Sequence, residues 1–276
     1  MTAVRLWLLG HHIADSPSPA MQEAALRARG IEGGYDIVDV APAQLGAALD
    51  RMRAGAARGA NVTIPHKIAA AQACDRLEGD AVITGAVNTL TLEAGALVGE
   101  NTDAAGLEAA LRELGLWPDP GALAVVLGAG GAAAAAVLAL SRVPCDRVHV
   151  AGRRPDAAAG VARRLAGVAP VLAAPWDGEA LAPLLAAADL VVNATPVGLA
   201  GLPFHPRDLP GTAAVVDLRY RPRPVDLTAA AQDAGLRACD GLEMLLQQGM
   251  LSFQRWTGVE PPTDQARRAL LDAVGG

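Results

Sequence analysis

The sequence predicts an α/β protein of two domains. Three observations carry this reading. Short apolar runs alternate with helical stretches through most of the chain, the pattern of strand–helix–strand units that build parallel sheets. A glycine-rich turn, Gly128-Ala129-Gly130-Gly131, separates one apolar run from a helix. The chain has 276 residues, enough for two ordinary domains.

The elements follow in order. Residues 4–10, VRLWLLG, read as a strand, and 18–30 as a helix with Ser18 as N-cap, Pro19 at its first position and Gly30 at its end. YDIVDV at 35–40 is a second strand and QLGAALDRMRAG a second helix. GANVTI forms a strand that stops at Pro65. Residues 87–99 form a hairpin turning at Glu93-Ala94-Gly95, and a helix begins at Asp103. A proline-rich joint, WPDPG, occupies 117–121. Beyond it ALAVVLG, RVHVAG, ADLVVNA and AAVVDLRY read as strands of a βαβ array. After Gly241 the chain is helical, and a last helix covers 263–274.

Composition excludes several functions. A net charge of -6, a pI near 5.4 and scattered arginines argue against nucleic acid as a partner. Cys74, Cys145 and Cys239 lie far apart without CxxC spacing, as expected of reduced thiols in a cytoplasmic protein. No charged start followed by an apolar stretch marks a signal peptide. Residues 121–140 carry no charge and reach bilayer length, but GAGG interrupts them; a strand, a turn and a small-residue helix are expected, not a membrane span. The five histidines show no metal-ligand spacing, so no metal is expected.

Gly128, Ala129, Gly130, Gly131, Ala132 and Ala133 fit G-x-G-x-x-A between a strand and a helix. This is the context of a Rossmann-type dinucleotide site, where the backbone approaches a pyrophosphate at a helix N-terminus. A tight turn without ligand would use the same residues. The next strand ends in Ala151-Gly152-Arg153-Arg154, not in the acidic residue that bonds an NAD ribose. Two arginines suit a 2′-phosphate and therefore NADP, although Asp156 lies close enough to suit NAD, and the pair could simply be solvated at a helix start.

Lys67 is the single lysine among 23 Lys and Arg residues, in a chain whose composition suggests drift toward GC-rich codons. Arginine replaces lysine wherever charge alone is wanted, so a retained lysine points to proton transfer, which arginine performs poorly. A surface lysine left by chance is the alternative. The scarce polar residues around it fall into compact motifs: Ser16 and Ser18 in DSPSP, Thr63 and Lys67 in NVTIPHK, Asn88 in GAVNT, Asp103 in ENTD. With VLGAGGAA, ADLVVNATPVG, VVDLRY and GLEMLLQQGMLSFQRWTG, these motifs resemble the shikimate dehydrogenase family over nearly the whole chain.

The resemblance implies an α/β substrate domain at 1–102, an NADP-binding Rossmann-like domain at 103–240, and C-terminal helices at 241–276 returning to the first. It implies NADP-dependent reduction of 3-dehydroshikimate to shikimate by a cytoplasmic monomer or homodimer. Lys67 and Asp103 are then the catalytic pair. Ser16 and Ser18 hold the substrate carboxylate, Thr63, Asn88, Asp103 and Gln248 its ring hydroxyls, and Tyr220 borders it. Residues 128–132 carry the pyrophosphate and Arg153, with Arg154, the 2′-phosphate; Asn193, Leu218 and Gly241 lie near the nicotinamide. Duller roles stand beside these. Ser18 and Asp103 are natural helix caps, Asn193 can hold a turn, and His66 reads as structural.

The chain departs from the family pattern at Asp15, Ala104, Gly152 and Ala157, where His, Gly, Asn and Arg are usual. A quinate/shikimate or aminoshikimate dehydrogenase of the same family is the runner-up, and a silent NADP-binding regulator a third reading. Ser16-Pro17-Ser18 and Arg153 speak against the quinate enzymes, where Ser-x-Thr and an acidic residue are expected, and retention of Lys67 with Asp103 speaks against the regulator. Replacing Arg153 and Arg154 together with neutral residues is expected to raise the NADP KM by the equivalent of about 1.5–3 kcal/mol and to leave NAD nearly unaffected. Initial rates with both cofactors check this; an unchanged NADP/NAD ratio would refute it.

Overall fold

The computed structural model describes residues 3–143, 145, 147–168 and 170–275. The chain divides into two compact units, Met1–Thr102 with Leu245–Gly276, and Asp103–Met244.

The first unit opens with β1 (Val4–Gly10), α1 (Ser18–Ala28), β2 (Gly33–Asp39), α2 (Leu45–Arg53), β3 (Gly59–Val62) and α3 (Lys67–Ala73). It continues with β4 (Arg76–Leu77), α4 (Asp80–Thr84), β5 (Thr89–Glu93) and β6 (Ala96–Glu100). The sheet order is β2-β1-β3-β5-β6-β4. β1 runs parallel to β2 and β3, whereas β5 is antiparallel to β3 and β6. The β5–β6 hairpin turns on Ala94 and Gly95, with φ of 49° and 87°, the left-handed pair that suits a two-residue turn. In register, Leu9 stands opposite Val62, Asn61 opposite Thr89, and Thr89 opposite Glu100. The residues after β1, after β3, before β5 and after β6 therefore share one edge of the sheet.

Two local features differ from expectation. Ser18 is the first residue of α1, not its cap; Pro17 takes the cap position, and the Ser18 N–H donates to Ser16 Oγ at 3.3 Å. The short β4 and α4 were not anticipated, because two and five residues are too few to display a hydrophobic period.

The second unit begins with α5 (Asp103–Glu113), β7 (Leu123–Leu127), α6 (Gly131–Leu140), β8 (Arg147–Ala151) and α7 (Pro155–Leu165). Then come β9 (Val171–Ala174), α8 (Gly178–Leu185), β10 (Leu190–Asn193), β11 (Ala214–Asp217), α9 (Asp226–Asp233) and β12 (Arg237–Cys239). All six strands are parallel in the order β12-β11-β10-β7-β8-β9, the doubly wound arrangement whose order reverses between β7 and β10. The uncharged stretch 121–140 supplies β7 and α6. Among the described residues no helix is long and apolar enough to cross a membrane. β9 and β12 lie at the sheet margins and carry too little apolar pattern to announce themselves.

α10 (Leu242–Thr257) and α11 (Thr263–Gly275) close the chain, and from Leu245 onward they belong to the first unit. Trp256 anchors α10 to the sheet. It is 1% exposed, and its Nε1–H donates to the Leu90 carbonyl at 2.9 Å. A Cβ at Gly59 would stand 2.3 Å from that nitrogen, so the indole needs the glycine beneath it. Arg255, one position earlier, pairs with Glu93 at 2.6 Å and with Glu100. Trp256→Ala is expected to destabilise the first unit by about 3–5 kcal/mol, the usual cost of a large buried aromatic. Urea unfolding checks this, and a loss below about 1 kcal/mol would show that the site collapses around the smaller side chain.

Candidate active site

In the first unit, the shared sheet edge gathers six of the expected residues. Ser16 and Ser18 lie in the loop after β1 and at the start of α1; Ser16 Oγ donates to Ser18 Oγ at 3.1 Å. Ser18 is 5% exposed, and with no helix-capping bond its hydroxyl belongs to this pair. Thr63 and Lys67 follow β3. The Thr63 N–H donates to the Leu9 carbonyl at 2.8 Å, and the Lys67 carbonyl accepts from the Val87 N–H at 2.9 Å. Lys67 is therefore fixed through its backbone to the segment that carries Asn88. His66, its neighbour, is buried and spends Nε2 on the Val40 carbonyl at 2.6 Å, a structural role as expected.

Asn88 is 1% exposed and its amide is fully oriented. Its Oδ1 accepts from the Thr102 N–H at 2.8 Å and the Thr89 hydroxyl at 2.9 Å. Its Nδ2 donates to Gln248 Oε1 at 3.0 Å, which brings the expected C-terminal residue to the same place. Behind this pair lies a polar network that sequence reasoning missed. Ser252 Oγ meets Thr89 Oγ1 at 2.7 Å and accepts from Asn61 Nδ2 at 2.9 Å, while Tyr35 donates to Asn61 Oδ1 at 2.8 Å. Gln248, Ser252 and Trp256 are spaced four apart, on one face of α10. That spacing was the available signal.

Asp103 opens the second unit as the first residue of α5, where a carboxylate favours the helix dipole; it is 3% exposed. In the parallel sheet, Leu127 stands opposite both Ala151 and Asn193, and Asn193 opposite Asp217. The turns after β7, β8, β10 and β11 therefore emerge side by side at the carboxyl edge. They carry residues 128–132, Arg153 with Arg154, the turn after Asn193, and Leu218 with Tyr220. Asn193 is completely buried and holds its turn, donating to the Val197 carbonyl at 3.1 Å and accepting from the Thr195 hydroxyl at 2.7 Å. Gly241 sits against Leu218: a Cβ there would lie 2.1 Å from the Leu218 carbonyl oxygen.

The glycine turn fits a dinucleotide. Gly128 has φ of 126°, and a Cβ on it would meet the Ala194 carbonyl oxygen at 2.9 Å. Gly130 is exposed, with nothing within 4 Å of where its Cβ would be, so a ligand can approach its backbone. The first turn of α6 holds no acidic residue, and Arg153 and Arg154 are exposed at the end of β8. Phosphates are the chemistry such a helix start accepts.

One further ion cluster organises this edge. Arg219 grips the fully buried Asp217 through Nη2–Oδ2 at 2.6 Å and Nε–Oδ1 at 3.1 Å, and reaches Asp226 at 2.5 Å. Asp226 also accepts from the Leu199 N–H at 2.8 Å, which ties down the loop after β10. Burial raises the Asp217 carboxyl above its ordinary range, with Arg219 opposing the shift.

A doubly wound sheet with a glycine turn at a helix start, in one chain with a lysine and a polar cluster on a second sheet, defines an oxidoreductase of the dinucleotide-binding class. Comparison with known proteins narrows the class. Residues 8–90 match the shikimate dehydrogenase substrate binding domain and residues 241–271 the shikimate 5'-dehydrogenase C-terminal domain. The shikimate dehydrogenase (NADP(+)) of Rubrobacter xylanophilus is 43% identical over 269 residues, covering 95% of this chain and 94% of that protein. The shikimate 5-dehydrogenase of Thermus thermophilus, solved in complex with NADP(H) and shikimate, is 38% identical with a TM-score of 0.87, over 98% of this chain and 99% of that one. A quinate dehydrogenase from Corynebacterium glutamicum, solved in complex with NAD, is 31% identical with a TM-score of 0.87, over 98% and 99%. The chain belongs to the shikimate dehydrogenase family.

Replacing Arg219 with Met leaves the Asp217 carboxylate buried without its counter-charge, and a loss of about 3–5 kcal/mol is expected at neutral pH. With its folded pKa above the unfolded value, Asp217 is best tolerated protonated, so stability falls as pH rises past about 3.9. The deficit is therefore expected to shrink in acid. Urea midpoints of both proteins at acidic and neutral pH test this; a deficit independent of pH would contradict the burial argument.

Proposed function

We propose that this enzyme interconverts 3-dehydroshikimate and shikimate with NADP, in the route to chorismate and the aromatic amino acids. The observation that carries the reading is the single lysine, fixed on the same sheet edge as a serine pair and the oriented Asn88–Gln248 amides, in a chain of this family. The first unit takes the substrate role and the second the cofactor role.

Ser16 and Ser18 donate hydrogen bonds to the substrate carboxylate. With its carbonyl bonded to Thr102 and Thr89 and its amide nitrogen to Thr102 and Gln248, Asn88 is fixed in one orientation; it holds ring hydroxyls with Thr63, Asp103 and Gln248. Tyr220 borders the ring. Residues 128–132 hold the pyrophosphate, Arg153 and Arg154 the 2′-phosphate, and Asn193, Leu218 and Gly241 shape the nicotinamide end. Held by these residues, NADPH would supply hydride to the ring carbonyl. Negative charge then grows on the carbonyl oxygen, and the Lys67 ammonium stabilises it and delivers a proton; in reverse Lys67 takes the proton back. Asp103 orients Lys67 and shares the alcohol hydroxyl.

A cytoplasmic setting is proposed from three cysteines that lie far apart in sequence without CxxC spacing. Burial pushes Cys74 up to about 11 and Cys239 up to about 12, so both stay protonated and slow to oxidise.

Initial rates with shikimate and quinate, each against NADP and NAD, test the activity: shikimate with NADP should lead. Preference for quinate would overturn the substrate assignment. Lys67→Arg separates the roles of the lysine. It keeps the charge but gives up a proton poorly, so kcat is expected to fall by about 10²–10⁴. Shikimate Kd should change much less, since Ser16, Ser18, Asn88 and Gln248 remain. Near-normal turnover would reduce Lys67 to an electrostatic anchor.

A further inference from the structure

β1 and β2 run parallel with Gly10 opposite Asp39, and the Val40 N–H donates to the Gly10 carbonyl at 2.7 Å. This pairing sets the two residues after β1, His11 and His12, beside the carboxylate that ends β2. His12 has φ of 58°, a left-handed backbone uncommon outside glycine. The two imidazoles lie together, with ring centroids 3.8 Å apart. His11 Nδ1 is 3.1 Å from Asp39 Oδ1, and the His12 N–H donates to the same oxygen at 3.2 Å, which holds the carboxylate in place.

One ligand atom from each of His11, His12 and Asp39 lies within 4.8 Å of the others, and among the described residues no second group of this kind occurs. Two ligands at about 2.0–2.1 Å from a tetrahedral ion are themselves about 3.3 Å apart, close to the His11–Asp39 spacing. His12 is exposed and offers its ligand atom within 4.8 Å of the other two. Imidazole donors with one carboxylate favour zinc, nickel, cobalt or copper over magnesium or calcium, which prefer all-oxygen shells. His11 is half-buried while His12 and Asp39 are exposed, so water can complete the shell.

We propose that His11, His12 and Asp39 form a binding site for one divalent transition-metal ion of the zinc class. The expectation of no metal rested on spacing within the sequence; here the third donor arrives through strand pairing. The ion bridges the ends of β1 and β2 and pins the start of the loop that leads to Ser16, whose N–H donates to the Ile13 carbonyl at 3.0 Å. This is a surface clamp on the loop and takes no part in hydride or proton transfer.

Isothermal titration of untagged, chelator-stripped protein with zinc chloride, and separately with nickel chloride, tests the site. One ion per chain is expected. His11→Ala, His12→Ala and Asp39→Asn should each weaken its binding by about tenfold or more. His205→Ala and Cys239→Ser should bind as the parent does, and circular dichroism confirms that each variant is folded. No saturable binding by the parent would leave the group an ordinary His–Asp hydrogen bond and overturn the proposal. Binding that survives any one of the three ligand substitutions, or that is lost in the His205 or Cys239 variant, would overturn it as well.

Discussion

Trp256 packs directly against the backbone at residue 59 because a glycine stands there, and the rest of the substrate-side cluster takes its position from that contact. With the indole seated and its N–H bonded to Leu90, α10 has no freedom to slide along β3 and β5. One turn back, Ser252 meets Thr89 and Asn61; a further turn back, Gln248 meets Asn88. A helix contributed by the end of the chain thus completes a cluster begun by strands from its first hundred residues. The ion pairs of Arg255 with Glu93 and Glu100 reinforce the same seating from the hairpin.

The polar network behind Asn88 follows from the low dielectric of its surroundings. Buried amides are costly unless satisfied, and an unsatisfied one would rotate. Here Thr102 and Thr89 take the Asn88 carbonyl, and Ser252 accepts from Asn61. The outcome is a set of amides fixed in orientation before any ligand arrives, the preorganisation that binding and catalysis both require. The second unit uses charge for the same end. Asp217, Arg219 and Asp226 tie β11 to the loop after β10, and the gain is a fixed turn geometry rather than stability, since the burial of Asp217 outweighs what Arg219 returns.

Ser18 illustrates how the structure removes one reading of a residue, that of a helix cap. As a sequence feature it was both a helix cap and a carboxylate ligand. Its place inside the first turn of α1, with Ser16 accepting its N–H, leaves the hydroxyl without a capping bond and in contact with Ser16. The Asn193 side chain is spent on Val197, Thr195 and Asp217 and holds the turn after β10.

The sequence by itself determined the strand–helix alternation, the glycine turn at Gly128, the arginines after β8 and the isolation of Lys67, because each is a local pattern of period, turn chemistry or composition. The long apolar strands and amphipathic helices were legible for the same reason. Short margin elements such as β4, β9 and β12 were not, since a few residues display no period and owe their conformation to the neighbouring strand. Only the tertiary structure decided which distant residues share an edge. The Asn61–Thr89–Ser252 network, the Asp217–Arg219–Asp226 cluster and the His11–His12–Asp39 group each join segments that strand register and helix seating bring together; the spacing on α10 marks a shared face but not the strands that face meets.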